Sequence, residues 1–177
     1  VDFNKQEELS YRIIFCEIIS GLTMLKTGGT FICKMFDILS ITTVKFIYLL
    51  FNYFSKVYIT KPYTSRPANS EKYLVCIGFK GIDCDFLELL YMYITQWDIL
   101  KDQLLSFIDV PSSFFHKIFI YNDYISLIQI KNINNTLNLI ENNIINKHNI
   151  IEKQCKIAKD WCNSYNIRIN NNSKFII

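Results

Sequence analysis

The chain has 177 residues, of which 50% are hydrophobic and 15% aromatic. This length suits one domain of ordinary size, and the apolar content excludes a chain that is disordered throughout. The formal net charge is only +3, so the charge permits a nucleic-acid partner without demanding one.

Six cysteines are spread along the chain, and no two of them have the CxxC spacing. The two histidines are far from most of them in the sequence, so we expect free thiols in a reducing compartment and no metal site. Residues 1–10 are polar and acidic, and they therefore do not resemble a secretory signal.

The first part of the chain alternates between helical and strand patterns. Residues 7–25 carry apolar side chains at intervals of three and four, which predicts a helix that ends before Gly28-Gly29. Residues 30–36 predict a short buried strand. Asp37 is then a candidate cap for a helix over residues 38–54.

The stretch Met35–Phe54 is apolar enough to be either a buried helix or a membrane span. Asp37 and Lys45 interrupt it, together with several hydroxyl residues. Charged residues are costly within a bilayer, so we favour a buried helix and expect no membrane partner.

The pattern continues with two strands and then with helices. Residues 57–60 and 72–79 predict strands that are joined by a polar loop and can pair antiparallel. One or two helices are expected over residues 86–105. The asparagine-rich residues 131–149 are expected to form a helix pair with a polar joint. The order of elements indicates an α/β fold followed by a mainly helical extension.

Two charged residues stand out because of where they lie. Lys34 is within an otherwise apolar strand, where an unpaired ammonium group is costly to bury. Glu71 lies where the polar loop meets the strand over residues 72–79. If the two strands are neighbours, Lys34 and Glu71 can share the carboxyl edge of the sheet, where open α/β sheets bind ligands. A purely structural Lys–Glu pair is the alternative.

Two longer motifs surround these residues. Residues 28–37 read GGTFICKMFD, and residues 61–73 read KPYTSRPANSEKY. Both resemble the FtsJ/RrmJ superfamily of 2′-O-methyltransferases, and within it the eukaryotic cap-specific mRNA (nucleoside-2′-O-)-methyltransferases that form cap 1. The string SRPANSE over residues 65–71 is the most specific part of the likeness. Clear similarity covers residues 4–81, and a weaker likeness continues past Pro111.

The resemblance implies a fold and a division of the chain. Residues 1–82 would be the C-terminal part of a Rossmann-like, S-adenosylmethionine-dependent methyltransferase sheet that ends in an antiparallel hairpin. Residues 83–169 would be a mainly helical extension packed on it, and residues 170–177 a frayed tail.

The resemblance also implies catalytic residues. The superfamily uses a Lys-Asp-Lys-Glu tetrad, in which Lys34 matches the second lysine and Glu71 the glutamate. Lys34 would orient and deprotonate the ribose 2′-hydroxyl. The first lysine, the aspartate and the S-adenosylmethionine loop have no match in this sequence. We therefore expect the cofactor to be bound mainly upstream of this chain, which would be inactive alone.

Capped mRNA is the implied substrate. The residues expected to contact it are Asn4, Lys5, Gln6, Ser65, Arg66 and Asn69. The first three could instead be a solvated helix entry, Arg66 could pair with a carboxylate, and Asn69 could be a turn residue. Three further lysines could attract phosphate but are more simply scattered surface residues: Lys26, Lys61 and Lys72.

Two other functions stay open at this point. One is an FtsJ-type enzyme acting on ribosomal or transfer RNA, and the other is a non-catalytic RNA-binding or scaffold fragment. A cap methyltransferase would be nuclear, or cytoplasmic if viral or otherwise specialised. Association with RNA polymerase II or the capping machinery is a further expectation of the resemblance.

Overall fold

The structure is a computed structural model that describes residues 5–62, 64–142 and 147–170. It forms two compact units, one made of residues 1–62 and 70–126 and the other of residues 63–69 and 127–177. The elements of the first unit begin with α1 (Gln6–Leu9), α2 (Tyr11–Met24), β1 (Thr30–Met35), α3 (Ile41–Tyr53), β2 (Phe54–Thr60) and β3 (Lys72–Phe79). They are followed by α4 (Cys84–Thr95), α5 (Trp97–Leu100), a 3-10 turn (Lys101–Gln103), α6 (Ser112–Glu141) and α7 (Lys147–Ser164), the last two of which extend into or lie in the second unit.

The sheet has three strands in the order β1-β3-β2, and β3 is antiparallel to both of its neighbours. The antiparallel pairing predicted for the last two strands is therefore confirmed. β3 also lies against β1, where Lys34 is opposite Tyr73. From the sequence, the proximity of Lys34 and Glu71 required β1 and β3 to be neighbours in one sheet. The structure shows that they are neighbours.

The Gly28-Gly29 turn leads into β1 and is fastened to the far end of β3. The backbone N–H of Gly28 donates to the carbonyl of Phe79 at 2.7 Å. In return, the carbonyl of Gly29 accepts the N–H groups of Gly78 and Phe79, both at 3.0 Å. Gly28 has a φ of 83°, a backbone conformation that glycine adopts readily but that residues with a Cβ atom rarely adopt. These bonds close the sheet at the end remote from Lys34.

β1 has one buried and one open face. Cys33 and Met35 are buried, whereas Ile32 is 61% exposed and Lys34 is also exposed. The prediction of a strand buried throughout is therefore wrong. The described helices α2 and α3 share a core with the Cys33 face, so alternate residues point away from that core.

The apolar stretch that raised the question of a membrane span contains α3. Phe46 and Leu50 have no exposed surface, and the Phe46 ring stacks on Phe15 of α2 with centroids 5.6 Å apart. This stretch is a buried helix, as predicted. Among the described residues, none of the helices combines the length and the apolar character that crossing a membrane requires.

α3 is capped by Ser40, not by Asp37 as predicted. The Ser40 hydroxyl accepts the backbone N–H of Thr43 at 3.1 Å. The helix begins later than expected, because Ser40 has an extended backbone with a ψ of 152°. The carboxylate of Glu7 from α1 accepts the N–H groups of Leu39 at 3.0 Å and Ser40 at 2.9 Å. Asp37 instead lies 3.5 Å from the ammonium group of a lysine in β3.

The helical part of the chain agrees with its prediction in outline. Residues 86–105 contain two short helices and a 3-10 turn, and Asp83 caps the first helix by accepting the N–H of Asp85 at 2.9 Å. The asparagine-rich residues contribute to a pair of helices, α6 and α7. Residues 143–146 of the predicted joint and residues 171–177 of the predicted tail lie outside the described ranges.

The sheet buries two free thiols, Cys33 and Cys76. Burial raises the pKa of Cys76 to about 12. Burial also raises the pKa of Cys33 strongly, and the carboxylate of Glu17, which accepts its S–H at 3.4 Å, raises it further. Since the thiolate is the reactive form, both side chains are chemically protected in the folded state.

We expect brief alkylation at pH 8 to modify the exposed Cys84 and to leave Cys33 and Cys76 unmodified. Mass spectrometry of proteolytic peptides measures the modified fraction of each cysteine. Alkylation in denaturant is the control, in which all the thiols should react. Modification of Cys33 or Cys76 at the same rate as Cys84 under native conditions would contradict the buried sheet face.

Candidate active site at the sheet edge

The register of β1 and β3 brings Lys34 and Glu71 together. Lys34 is opposite Tyr73, and residues that are directly opposite in an antiparallel pair project from the same face. Glu71 is two residues before Tyr73 and therefore shares that face. The Lys34 Nζ lies 3.8 Å from the Glu71 Oε1. Because β3 runs antiparallel, Glu71 stands at the amino end of its strand, beside the carboxyl end of β1.

Glu71 is held by more than Lys34. The Tyr73 hydroxyl donates a short hydrogen bond to the same Glu71 Oε1. The Lys61 ammonium group donates to the backbone carbonyl of Glu71 at 2.9 Å. The sequence analysis missed Tyr73, although the two-residue period of a strand placed it on the face of Glu71. Glu71 is thus fixed through both its side chain and its backbone.

The Lys34–Glu71 pair is open to solvent. The Lys34 side chain is 49% exposed and that of Glu71 25% exposed, so the expected buried ammonium group is not found at Lys34. Its Nζ lies 5.4 Å from the ring centroid of Phe36. An exposed ion pair contributes only about 0.2–1 kcal/mol to stability. A purely structural role therefore explains this pair poorly.

The buried lysine of this region is Lys72, which was expected on the surface. Its side chain is only 3% exposed and donates to the carbonyls of Ser70 at 2.9 Å and Phe36 at 3.2 Å. Its Nζ also lies 3.5 Å from the Asp37 Oδ1. Desolvation lowers the pKa of Lys72, and the charge of Asp37 opposes that change.

Lys61 is partly buried at the same edge. Desolvation and the nearby charge of Lys72 lower the pKa of Lys61, while Glu71 raises it. Its ammonium group is used within the protein, since it donates to the Glu71 carbonyl. Lys61 is therefore not the freely exposed surface lysine that was expected, but a partly buried one.

An open groove of about 620 Å³ lies between α2 and β1. Lys34 and Tyr73 contribute to its lining, and so do Glu17 and Ser20. Most of the surface is apolar and comes from Ile13, Gly21, Met24, Leu25, Phe31 and Ile32. The Lys34 ammonium group thus belongs to a largely apolar groove.

Lys5 and Gln6 lie at the entry to α1, and Asn4 is outside the described residues. Lys5 lines a second groove, of about 680 Å³, together with Arg12, Trp97 and Lys101. The Arg12 guanidinium carbon lies 5.9 Å from the centroid of the Trp97 ring. Lys5 therefore lines a different groove from Lys34.

Ser65, Arg66 and Asn69 belong to the second compact unit. Arg66 is exposed, and its carbonyl accepts the backbone N–H of Asn69 at 3.3 Å, which closes a turn. Gln129 of α6 donates to the Asn69 carbonyl at 2.8 Å. Asn69 therefore lies in a turn, which is the alternative to RNA contact that the sequence left open.

The Gly28-Gly29 turn is not a free loop that could cradle S-adenosylmethionine, because the N–H of Gly28 donates to the carbonyl of Phe79 and that of Gly29 to the carbonyl of Lys26. The glycine pair that precedes a strand, Gly28-Gly29, uses its backbone groups to fasten the end of β3. It also stands at the opposite end of β1 from Lys34. In the described ranges, no three His, Cys, Asp or Glu side chains are grouped in a way that could hold a metal ion.

The hydrogen bond between Tyr73 and Glu71 predicts a titration effect. It raises the pKa of Tyr73, because ionisation would remove the donated proton and place two negative charges together. Glu71→Gln should move that pKa down toward the ordinary tyrosine value of about 10. Tyrosine-selective ¹³C NMR measures the titration, with the Tyr73 signal assigned through Tyr73→Phe. Glu88→Gln, an exposed change in α4, should leave it in place, and an unmoved Tyr73 in Glu71→Gln would refute the bond.

Comparison with known proteins bears on the same residues. The family model of FtsJ-like methyltransferases matches residues 2–79, the segment that carries Lys34 and Glu71. Proteins named cap-specific mRNA (nucleoside-2′-O-)-methyltransferase 1 are similar to this chain. That of Xenopus laevis is 52% identical over 81 residues, which are 45% of this chain and 10% of that protein.

Longer matches are less identical. The protein of the same name from Caenorhabditis elegans is 39% identical over 101 residues, covering 57% of this chain and 11% of that protein. That from Danio rerio is 35% identical over 136 residues, covering 72% of this chain and 16% of that protein. The chain thus spans between a tenth and a sixth of these curated relatives. Residues 2–79 belong to the FtsJ-like methyltransferase family.

Proposed function

We propose that the protein to which this chain belongs methylates the ribose 2′-hydroxyl of the first transcribed nucleotide of capped mRNA, with S-adenosylmethionine as the methyl donor. The product would be cap 1. The observation that carries the proposal is the Lys34–Glu71 pair, with Nζ and Oε1 3.8 Å apart, inside the segment that matches the family. The relatives named for this activity supply the choice of substrate.

Lys34 acts on the acceptor hydroxyl. A ribose hydroxyl is a poor nucleophile at neutral pH, so a positioned group must orient it and take its proton, a step that requires Lys34 in its amine form. The Lys34 side chain is half exposed and lines the groove between α2 and β1. Glu71 holds Lys34 by a charge-assisted contact, and Tyr73 and Lys61 hold Glu71.

The remaining assignments complete the proposal. The three strands would be the C-terminal part of a Rossmann-like sheet, with residues 83–169 as its helical extension. Cofactor binding is assigned to other parts of the protein; the backbone N–H groups of Gly28-Gly29 are already used within the fold, which supports this assignment. The protein would act in the nucleus, or in the cytoplasm if viral, in association with RNA polymerase II or the capping machinery. The RNA contacts would come from Asn4, Lys5, Gln6, Ser65, Arg66 and Asn69.

Replacing Lys34 tests the catalytic role. In the full-length protein, Lys34→Ala should lower the single-turnover methylation rate of capped RNA by at least about a hundredfold, in line with general-base contributions. Affinity for RNA and cofactor should change much less. Lys34→Arg should also fail, since a guanidinium stays protonated. Glu71→Ala should be milder, because it removes only the group that holds the base.

Stability separates this role from a structural one. The open Lys34–Glu71 pair contributes about 1 kcal/mol or less, so thermal melts of both variants should stay close to that of the wild type. Lys56→Ala is the matched control, because Lys56 is an exposed lysine of β2 on the same sheet face. A folded Lys34→Ala protein with near-normal turnover would end the catalytic assignment.

The cap specificity has its own test. Methylation of a capped RNA by the full-length protein should be inhibited by a cap analogue, and the same RNA without a cap should be a poor substrate. Ribosomal and transfer RNA transcripts are the comparison substrates. Preferential methylation of those transcripts would favour the other FtsJ-type function. RNA binding without methylation of any of them would favour the non-catalytic one.

A further inference from the structure

We propose that Lys72 is a positioning residue of this site. It joins the main chain after Lys34 to the main chain before Glu71 and thereby sets the separation of these two side chains. The inference rests on the proposed function. The hydrogen bonds of Lys72 run to the two chain segments that carry the pair.

The contacts define what Lys72 joins. Its ammonium group donates to the carbonyl of Phe36, two residues after Lys34, at 3.2 Å. It also donates to the carbonyl of Ser70, the residue just before Glu71, at 2.9 Å. One cation thus ties the segment leaving β1 to the segment entering β3.

The position of these bonds is important because the strand ladder ends there. Met35, the last residue of β1, is paired with Lys72, the first residue of β3. Beyond them, the main chains have no further ladder partners to hold them in register. The side chain of Lys72 continues the connection, since its donors reach a carbonyl on each chain. Lys34 and Glu71 lie at this end, so small backbone shifts there change their separation directly.

Lys72 acts from the opposite face of the sheet. It projects with Leu74 and Cys76 into the core, whereas Lys34 and Tyr73 are on the open face. A group in the core cannot donate to substrate on the open face. Lys72 can therefore affect the reaction only indirectly, through the residues and main chain that it holds.

The charge of Lys72 is balanced locally. Asp37 lies 3.5 Å from its Nζ, and the more distant Glu7 also favours its charged form. A buried ammonium group costs free energy that an apolar side chain at the same place would avoid. Keeping a lysine here has a physical reason if its donors are needed to fix the two carbonyls.

The test uses the full-length protein and three variants. The double variant Lys72→Met with Asp37→Asn removes the donors without leaving an unpaired buried charge. Lys72→Gln keeps one donor group, and Lys72→Arg keeps the charge. Lys80→Met is the matched control, because Lys80 follows the far end of β3 and donates to the carbonyl of Asn52 at 3.1 Å.

We expect kcat to fall least in Lys72→Arg, more in Lys72→Gln and most in the double variant. The loss in the double variant should be at least about tenfold, since displacements near 1 Å can cost about a hundredfold in rate. The KM for capped RNA should change less than about threefold, and Lys80→Met should match the wild type. In a crystal structure of the double variant, the distance between the Lys34 Nζ and the Glu71 carboxylate should exceed 3.8 Å.

Several results would overturn the inference. A folded double variant with wild-type kcat, or with an unchanged Lys34–Glu71 distance, would do so. Unfolding of every Lys72 variant would assign the residue to stability instead. If the wild-type protein transfers no methyl group, the proposed function fails, while the distance in the double variant still decides whether Lys72 sets the pair.

Discussion

The pairing of β3 with a strand on each side is the constraint on which the site depends. β3 is hydrogen-bonded to β1 and β2 in antiparallel register, and the Gly28-Gly29 turn fastens its far end. A slip of one residue between β1 and β3 would move Glu71 to the other face of the sheet, away from Lys34. The chemistry of the edge is therefore a property of the strand register.

Two lysines on opposite faces of this sheet have opposite surroundings. Lys34 is half exposed in an open groove, and its ion pair adds little to stability. Lys72 is almost fully buried and is surrounded by carbonyl oxygens and Asp37. The accessible cation is suited to meet a ligand, and the buried one is suited to hold the main chain.

Local patterns predicted the elements well and their environments less well. β3 has the bounds that its β-branched and apolar residues indicated, and α3 is a buried helix as its composition suggested. The proximity of Lys34 and Glu71 followed from two strand ends once the strands were placed side by side. The strand bounds and the buried helix depend on short-range sequence, whereas the proximity of Lys34 and Glu71 also required β1 and β3 to pair.

What could not be predicted depends on the tertiary structure. An apolar run such as residues 30–36 does not reveal which of its faces is covered, so Lys34 was expected to be buried and Lys72 exposed. Asp37 looked like a helix cap, because a short polar residue before a helix usually is one. The carboxylate of Glu7 and the late start of α3 removed that role, and both depend on contacts from distant sequence.

The Glu7 carboxylate at the start of α3 also has a consequence for the recognition of polyanions. Helix N-termini attract phosphate because their free N–H groups and dipole favour negative charge. At α3 that position is already filled by a carboxylate of the protein, which accepts the N–H groups of Leu39 and Ser40. A phosphate approaching there would meet the like charge of Glu7. If this part of the chain contacts RNA, as proposed, the attraction for phosphate near α1 would come from cationic side chains and not from the start of α3.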